Sequence, residues 1–147
     1  MTHKILVCPK CQSINRTDLE RAKTSSPLCG KCGTSLEVNH LHSFRDDAQF
    51  DKLIQLAQLP VVVDVYADWC GPCRMYAPIF KQVAQELWDK AEFFKLDSEK
   101  LPAISQRYGI RGIPTTLFFF NHQLVKSQSG LLDATQLKSL IQSVHHG

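Results

Sequence analysis

Val61-Val62-Val63-Asp64-Val65-Tyr66-Ala67-Asp68-Trp69-Cys70-Gly71-Pro72-Cys73 decides the fold of this 147-residue chain. Its first six residues are a β-branched run around a single acid. That is the pattern of a central strand covered on both faces. Pro72 then opens a helix, at a position where a missing N–H removes no bond. Met75, Ile79, Val83 and Leu87 continue the helix on one face, with Pro78 marking a kink. Strand, tight turn and helix in immediate succession begin an α/β unit.

The same alternation extends on both sides. Upstream, Phe50, Leu53, Ile54 and Ala57 share one helical face, with Ser43 and Asp46 available to cap it and Pro60 to end it. Downstream, Phe93–Leu96 reads as a short strand, and Leu101–Tyr108 as a short helix ended by Gly109. Thr115–Phe120 and Gln123–Ser129 read as a hairpin turning at Asn121-His122. Asp133 caps a last helix that carries Leu137, Leu140, Ile141 and Val144 on one face. With Leu36–Asn39 as a first edge strand, the order is β-α-β-α-β-α-β-β-α. This is an α/β fold with a central mixed sheet flanked by helices. Trp88 is read as packing on the long helix.

Six cysteines fall into three C-x-x-C pairs: Cys8/Cys11, Cys29/Cys32 and Cys70/Cys73. Cys8-Pro-Lys-Cys11 and Cys29-Gly-Lys-Cys32 have the spacing of a four-thiolate zinc site. Such a set closes a tetrahedron and leaves no position for catalysis, so one structural zinc ion is expected. Two disulfides or four free thiols are the alternatives. Residues 1–35 hold few large apolar side chains, and a bound metal would supply the folding energy they lack. The chain divides on this reading into a zinc ribbon or knuckle module, 1–35, and an α/β domain, 36–147. His40, His42, His145 and His146 fit no ligand spacing and are read as surface histidines.

The third pair stands elsewhere, between a buried strand and a helix. Free N–H groups and the helix dipole favour an anion there, so a thiolate at Cys70 is stabilised. Two intervening residues wound into the first turn bring the sulfurs to bonding distance. Cys73 lies further into the helix and is expected to be more buried and less acidic. Cys70 would then attack a disulfide, and Cys73 would resolve the mixed disulfide. A zinc half-site or a stable disulfide is the bland alternative.

Composition excludes several classes. No stretch approaches the ~18 apolar residues of a membrane span. Met1-Thr2-His3-Lys4 and the three apolar residues after it do not form a secretory leader, so a reducing, cytoplasmic setting is expected. The net charge is +3. Lys4, Lys10, Arg16, Arg21, Lys23 and Lys31 against Asp18 and Glu20 put the surplus in the first segment. Zinc on four thiolates would halve it, and no aromatic residues interleave the basic ones, which argues against nucleic acid.

Val63 to Arg74, with Trp69-Cys70-Gly71-Pro72-Cys73 at its centre, resembles the active-site signature of the thioredoxin family. Tyr108-Gly109-Ile110-Arg111-Gly112-Ile113-Pro114-Thr115 resembles the cis-proline loop of that family. The resemblance covers roughly residues 36–147. A zinc-bearing segment ahead of such a domain resembles one subgroup, bacterial thioredoxin 2.

The resemblance implies a thioredoxin fold and a protein-disulfide reductase, with Cys70 and Cys73 as the redox pair. It implies Asp64 as proton acceptor for Cys73, with Lys95 as its partner. Burial of that acid in an apolar strand would raise its pKa. Pro114 would be the cis proline, and Ile113 would offer its backbone to an extended substrate by strand addition. Trp69, Gly71, Pro72, Gly112 and Gly130 would form the groove rim. Implied partners are disulfide-containing client proteins and an NADPH-dependent thioredoxin reductase. The chain is expected to be a monomer without an organic cofactor. Val65-Tyr66, Arg74 and Ser129 depart from the family's usual residues.

Two other functions compete. One is a binding module in which the ribbon works and the thioredoxin fold is a scaffold. The other is a disulfide isomerase or oxidase, disfavoured by Pro72 where such relatives carry histidine. The role of the ribbon is open between docking a partner, tuning the redox site and releasing zinc on oxidation.

Overall fold

The structure, a computed structural model, describes residues 1–146, with side chains through Val144. The reading of His145 and His146 as surface side chains falls outside the described residues. The elements are β1 (His3–Val7), β2 (Ile14–Asp18), α1 (Leu19–Ala22), β3 (His42–Ser43), α2 (Asp47–Leu56) and β4 (Val61–Tyr66). After these come α3 (Gly71–Glu86), β5 (Glu92–Asp97), α4 (Pro102–Arg107), β6 (Thr115–Phe120), β7 (Gln123–Ser129) and α5 (Ala134–His146).

Five strands form one mixed sheet in the order β3-β5-β4-β6-β7. β4 lies in the middle, parallel to β5 and antiparallel to β6. Its position explains its composition, because both faces are covered. Val61, Val63 and Val65 enter one core with Phe50, Leu53 and Ile54 of α2 and Ile104 of α4. Val62 enters the other with Tyr76, Phe80 and Val83 of α3 and Leu137 and Ile141 of α5. This is the thioredoxin fold.

The sequence pattern predicts a first edge strand at Leu36–Asn39. The edge is instead His42–Ser43, two residues paired parallel to Phe94 and Lys95. So short a strand shows no period of its own. His42 accordingly is not a surface histidine. It is buried, and its Nε2 lies 2.8 Å from Gln49 Oε1. Burial holds the imidazole below its ordinary pKa. The cap of α2 is Asp46, whose Oδ1 accepts from the Gln49 N–H at 2.8 Å, and Ser43 takes no part. Met75 is exposed, because the buried stripe of α3 runs through Cys73, Tyr76, Phe80, Val83 and Ala84. The helix continues through Pro78. Trp88 lies in the turn after α3 rather than on the helix.

The first segment forms a β1–β2 hairpin, in register from His3↔Asp18 to Val7↔Ile14. Strand alternation turns β1 into a two-sided joint. Ile5 and Val7 pack into the main core beside α2, and Leu6 joins Cys8, Cys29 and Leu36 in a small separate cluster. Lys4 Nζ meets Glu92 Oε1 at 3.0 Å, and Glu92 Oε2 accepts the Ile5 N–H at 2.6 Å.

Candidate functional site

Past the end of β4 the chain passes through buried Ala67 to exposed Asp68 and Trp69, and Cys70 becomes the N-cap of α3. Its sulfur accepts the Cys73 N–H at 3.2 Å. Cys70 and Cys73 are joined as a disulfide with their Cα atoms 5.2 Å apart. The two residues are 4% and 3% exposed, so burial does not rank them as expected. They differ in position: Cys70 is the N-cap, and Cys73 lies in the first turn of α3. Its Sγ lies 3.7 Å from the Ile113 carbonyl oxygen. Ile113 and Tyr66 pack against the cluster of Ala67, Cys70 and Cys73.

The Ile113–Pro114 peptide bond is cis. The loop is pinned on both sides. Thr115 Oγ1 donates to the Gly112 carbonyl at 2.5 Å, and the Gly130 N–H donates to the Pro114 carbonyl at 2.9 Å. Gly130 has φ +95°, a left-handed conformation that favours glycine. Gly71, Pro72 and Gly112 are exposed, and Trp69 is 66% exposed with its indole N–H donating to Glu99. All the residues named for the groove therefore belong to three segments: the α3 start, the cis loop and the β7 end.

Asp64 is fully buried on β4, directly across from Lys95 on β5. Lys95 Nζ donates to Asp64 Oδ2 at 2.8 Å, and Oδ1 has no partner among the described residues. Burial raises the pKa of this carboxyl, and the Lys95 charge offsets part of the rise.

In the first segment, the sulfurs of Cys8, Cys11, Cys29 and Cys32 all lie within 4.8 Å of one another. Two equal knuckles arrange them. Cys8 N–H donates to Ser13 O at 2.9 Å, and Cys29 N–H to Thr34 O at 2.8 Å. Gln12 and Gly33 turn through φ 66° and 77° at matching places. The Cys8–Cys32 and Cys11–Cys29 sulfur pairs are 3.6 Å apart. A tetrahedral zinc with Zn–S near 2.3 Å needs sulfurs roughly 3.8 Å apart, so the donor set fits that ion. Hydrogen bonds from the Ser13 hydroxyl and the Cys32 backbone push the Cys29 thiol down to about 5. The Thr34 hydroxyl lowers Cys32 likewise. Thiolates so supported are the form a metal binds.

Sequence reasoning missed Ser13 and Thr34, although each stands two residues past the second cysteine of its knuckle. That repeated C-x-x-C-x-[Ser/Thr] spacing was a usable signal. Lys4, Glu92, Glu99 and Tyr66 gave none, since their partners are distant in the chain.

A family model described as thioredoxin matches residues 42–143. Among curated proteins, thioredoxin Y of Oryza sativa subsp. japonica chloroplasts is 41% identical over 65% of this chain and 57% of its own. The chain thus spans a little over half the length of that chloroplastic relative. The thioredoxin of Haemophilus influenzae is 36% identical over 71% of this chain and 94% of its own. Among solved structures, a mutant thioredoxin from Halobacterium salinarum has TM-score 0.67 at 31% identity, covering 74% of this chain and 93% of its own.

Proposed function

The chain belongs to the thioredoxin family, and on that footing we propose that it is a thiol–disulfide oxidoreductase that reduces disulfides in client proteins. The observation that carries this is the redox pair capping α3, with Cys70 Sγ against the Ile113 carbonyl of the cis-proline loop.

In the reduced protein, the Cys70 thiolate attacks one client sulfur. The Cys70–client bond forms, the client disulfide breaks, and the departing client thiolate takes up a proton. Cys73 gives its proton to Asp64 and attacks Cys70 Sγ. The second client thiolate leaves, and the enzyme is left with the Cys70–Cys73 disulfide. Lys95 holds the acceptor carboxylate in place. Ile113 binds an extended client segment through its backbone, between Trp69, Gly71 and Pro72 on one side and Gly112, Pro114 and Gly130 on the other. An NADPH-dependent thioredoxin reductase restores the dithiol.

Residues 1–35 are the zinc module and 36–147 the redox domain of a protein of the thioredoxin 2 kind. Cys8, Cys11, Cys29 and Cys32 hold one structural zinc ion, and the redox site uses no organic cofactor. The protein acts as a monomer in the cytoplasm. Among the described residues no helix is long and apolar enough to cross a membrane.

Reduction of insulin by excess dithiol tests the proposal. The protein accelerates it catalytically, and Cys70→Ser removes the acceleration. A fully active Cys70→Ser protein would overturn the assignment.

A further inference from the structure

Asp64 and Tyr66 are two residues apart on β4 and share one face of the sheet. Lys95 on β5 faces the same way, across from Asp64 in the parallel register. Its ammonium therefore falls between the two, 2.8 Å from Asp64 Oδ2 and 4.4 Å from the centre of the Tyr66 ring. Tyr66 also packs on the cluster that contains Cys70 and Cys73. A single side chain thus packs against the Cys70–Cys73 cluster and lies under the ammonium of the ion pair.

Beside the pair opens a cleft of about 640 Å³, bordered by Glu37, His40, Lys81, Tyr66 and Lys95. An ammonium held by one carboxylate oxygen could turn into this cleft and take up water. The aromatic face opposes that turn, because it attracts the cation where water is scarce.

We propose that Tyr66 is a positioning residue whose ring holds the Lys95 ammonium against Asp64 and so sets how tightly Asp64 keeps its proton. The inference deepens the reading of Asp64 as proton acceptor for Cys73, and its value to the reaction rests on that reading. Burial and the Lys95 charge act on Asp64 in opposite directions, so displacing Lys95 leaves burial unopposed. The titratable groups that face Asp64 from the packed elements are Lys95 of β5 and Tyr76 of α3. Tyr76 is itself tied to Thr116 of β6, its hydroxyl 2.8 Å from Thr116 Oγ1. Glu37, His40 and Lys81 stand around Lys95 in the cleft.

The test is a carboxyl-carbon NMR titration of Asp64 in the oxidised full-length protein, where Cys73 carries no proton. Tyr66→Phe keeps the ring and should leave the midpoint in place. Tyr66→Leu should raise it by about half a pH unit or more. If the Leu variant does not fold, Tyr66→Met fills the space without a ring and should show the same rise. In a Lys95→Met background the Tyr66 substitutions should have no further effect. An unmoved midpoint in the Leu or Met variant, or an equal rise in the Phe variant, would overturn the proposal. In the reduced protein, the pH profile of mixed-disulfide resolution should move with the titration. A moved titration beside an unmoved profile would instead overturn the reading of Asp64 as acceptor.

Discussion

Lys4 and Glu92 stand 88 positions apart in count yet share a buried ion pair, 4% and 1% exposed, with nitrogen and oxygen 3.0 Å apart. Lys4 also donates to the Ala91 carbonyl at 2.8 Å, and Glu92 accepts the Ile5 N–H. The first strand pairs with β2 in its own two-stranded sheet and is bonded through Lys4 and Ile5 to the start of β5 in the main sheet. A buried pair adds little over an apolar replacement, but leaving one member alone is costly. Lys4→Met should cost about 3–5 kcal/mol in denaturant unfolding. Lys4→Met with Glu92→Leu should recover most of that loss. A harmless Lys4→Met would show that the strand is not docked in this way.

Because Ile5 and Val7 lie in the main core while Cys8 belongs to the four-cysteine cluster, a metal site there is expected to unfold together with the rest of the chain. Chelation of zinc should lower the single melting transition of the whole chain. A mercurial should release one equivalent of zinc, and Cys8→Ser with Cys29→Ser should bind none. Retained zinc in that double variant would refute the ligand set.

Asp64 makes stability depend on pH in a direction that follows from its raised pKa. The folded protein keeps this proton more tightly than the unfolded chain, whose Asp titrates near about 3.9. Stability from this group is full below the unfolded midpoint and is lost as pH rises through the folded one. Asp64→Asn cannot ionise, so it should be more stable than the parent at pH 8, with the gap closing toward pH 4. Its mixed disulfides should resolve more slowly. Equal stability at all pH values would mean that the carboxyl is not raised.

Asp46 caps α2 through the Gln49 N–H, and Gln49 Oε1 in turn accepts the Arg45 N–H at 2.8 Å. Asp46→Ala should cost about 1 kcal/mol by denaturant titration. No loss would show that Gln49 holds the helix start without it.

Much of the fold was legible because its signals are local. The β-branched run of β4 and the β6–β7 hairpin fall where the sequence places them, residue for residue. The C-x-x-C spacings likewise bring together the four N-terminal sulfurs and, separately, Cys70 with Cys73. What was hidden depends on contacts remote in sequence. His3–Val7 reads as ribbon in the sequence, since nothing nearby shows that Ile5 and Val7 face the main core. His42 looked exposed until β5 and Gln49 covered it. Met75 kept helical spacing and yet faces solvent, because the helix packs along the Tyr76–Phe80 side. Tyr66 registered only as a departure from family usage, and its contact with Lys95 exists only once β4 and β5 are in register.

The central claim is that Cys70 is the attacking thiol. Limited alkylation of the reduced, zinc-loaded protein over a range of pH, with the adduct mapped by mass, tests it directly. The account predicts modification first at Cys70, with a midpoint below the ordinary thiol value of about 8.5. Modification first at Cys73, or a Cys70 midpoint at or above that value, would contradict it.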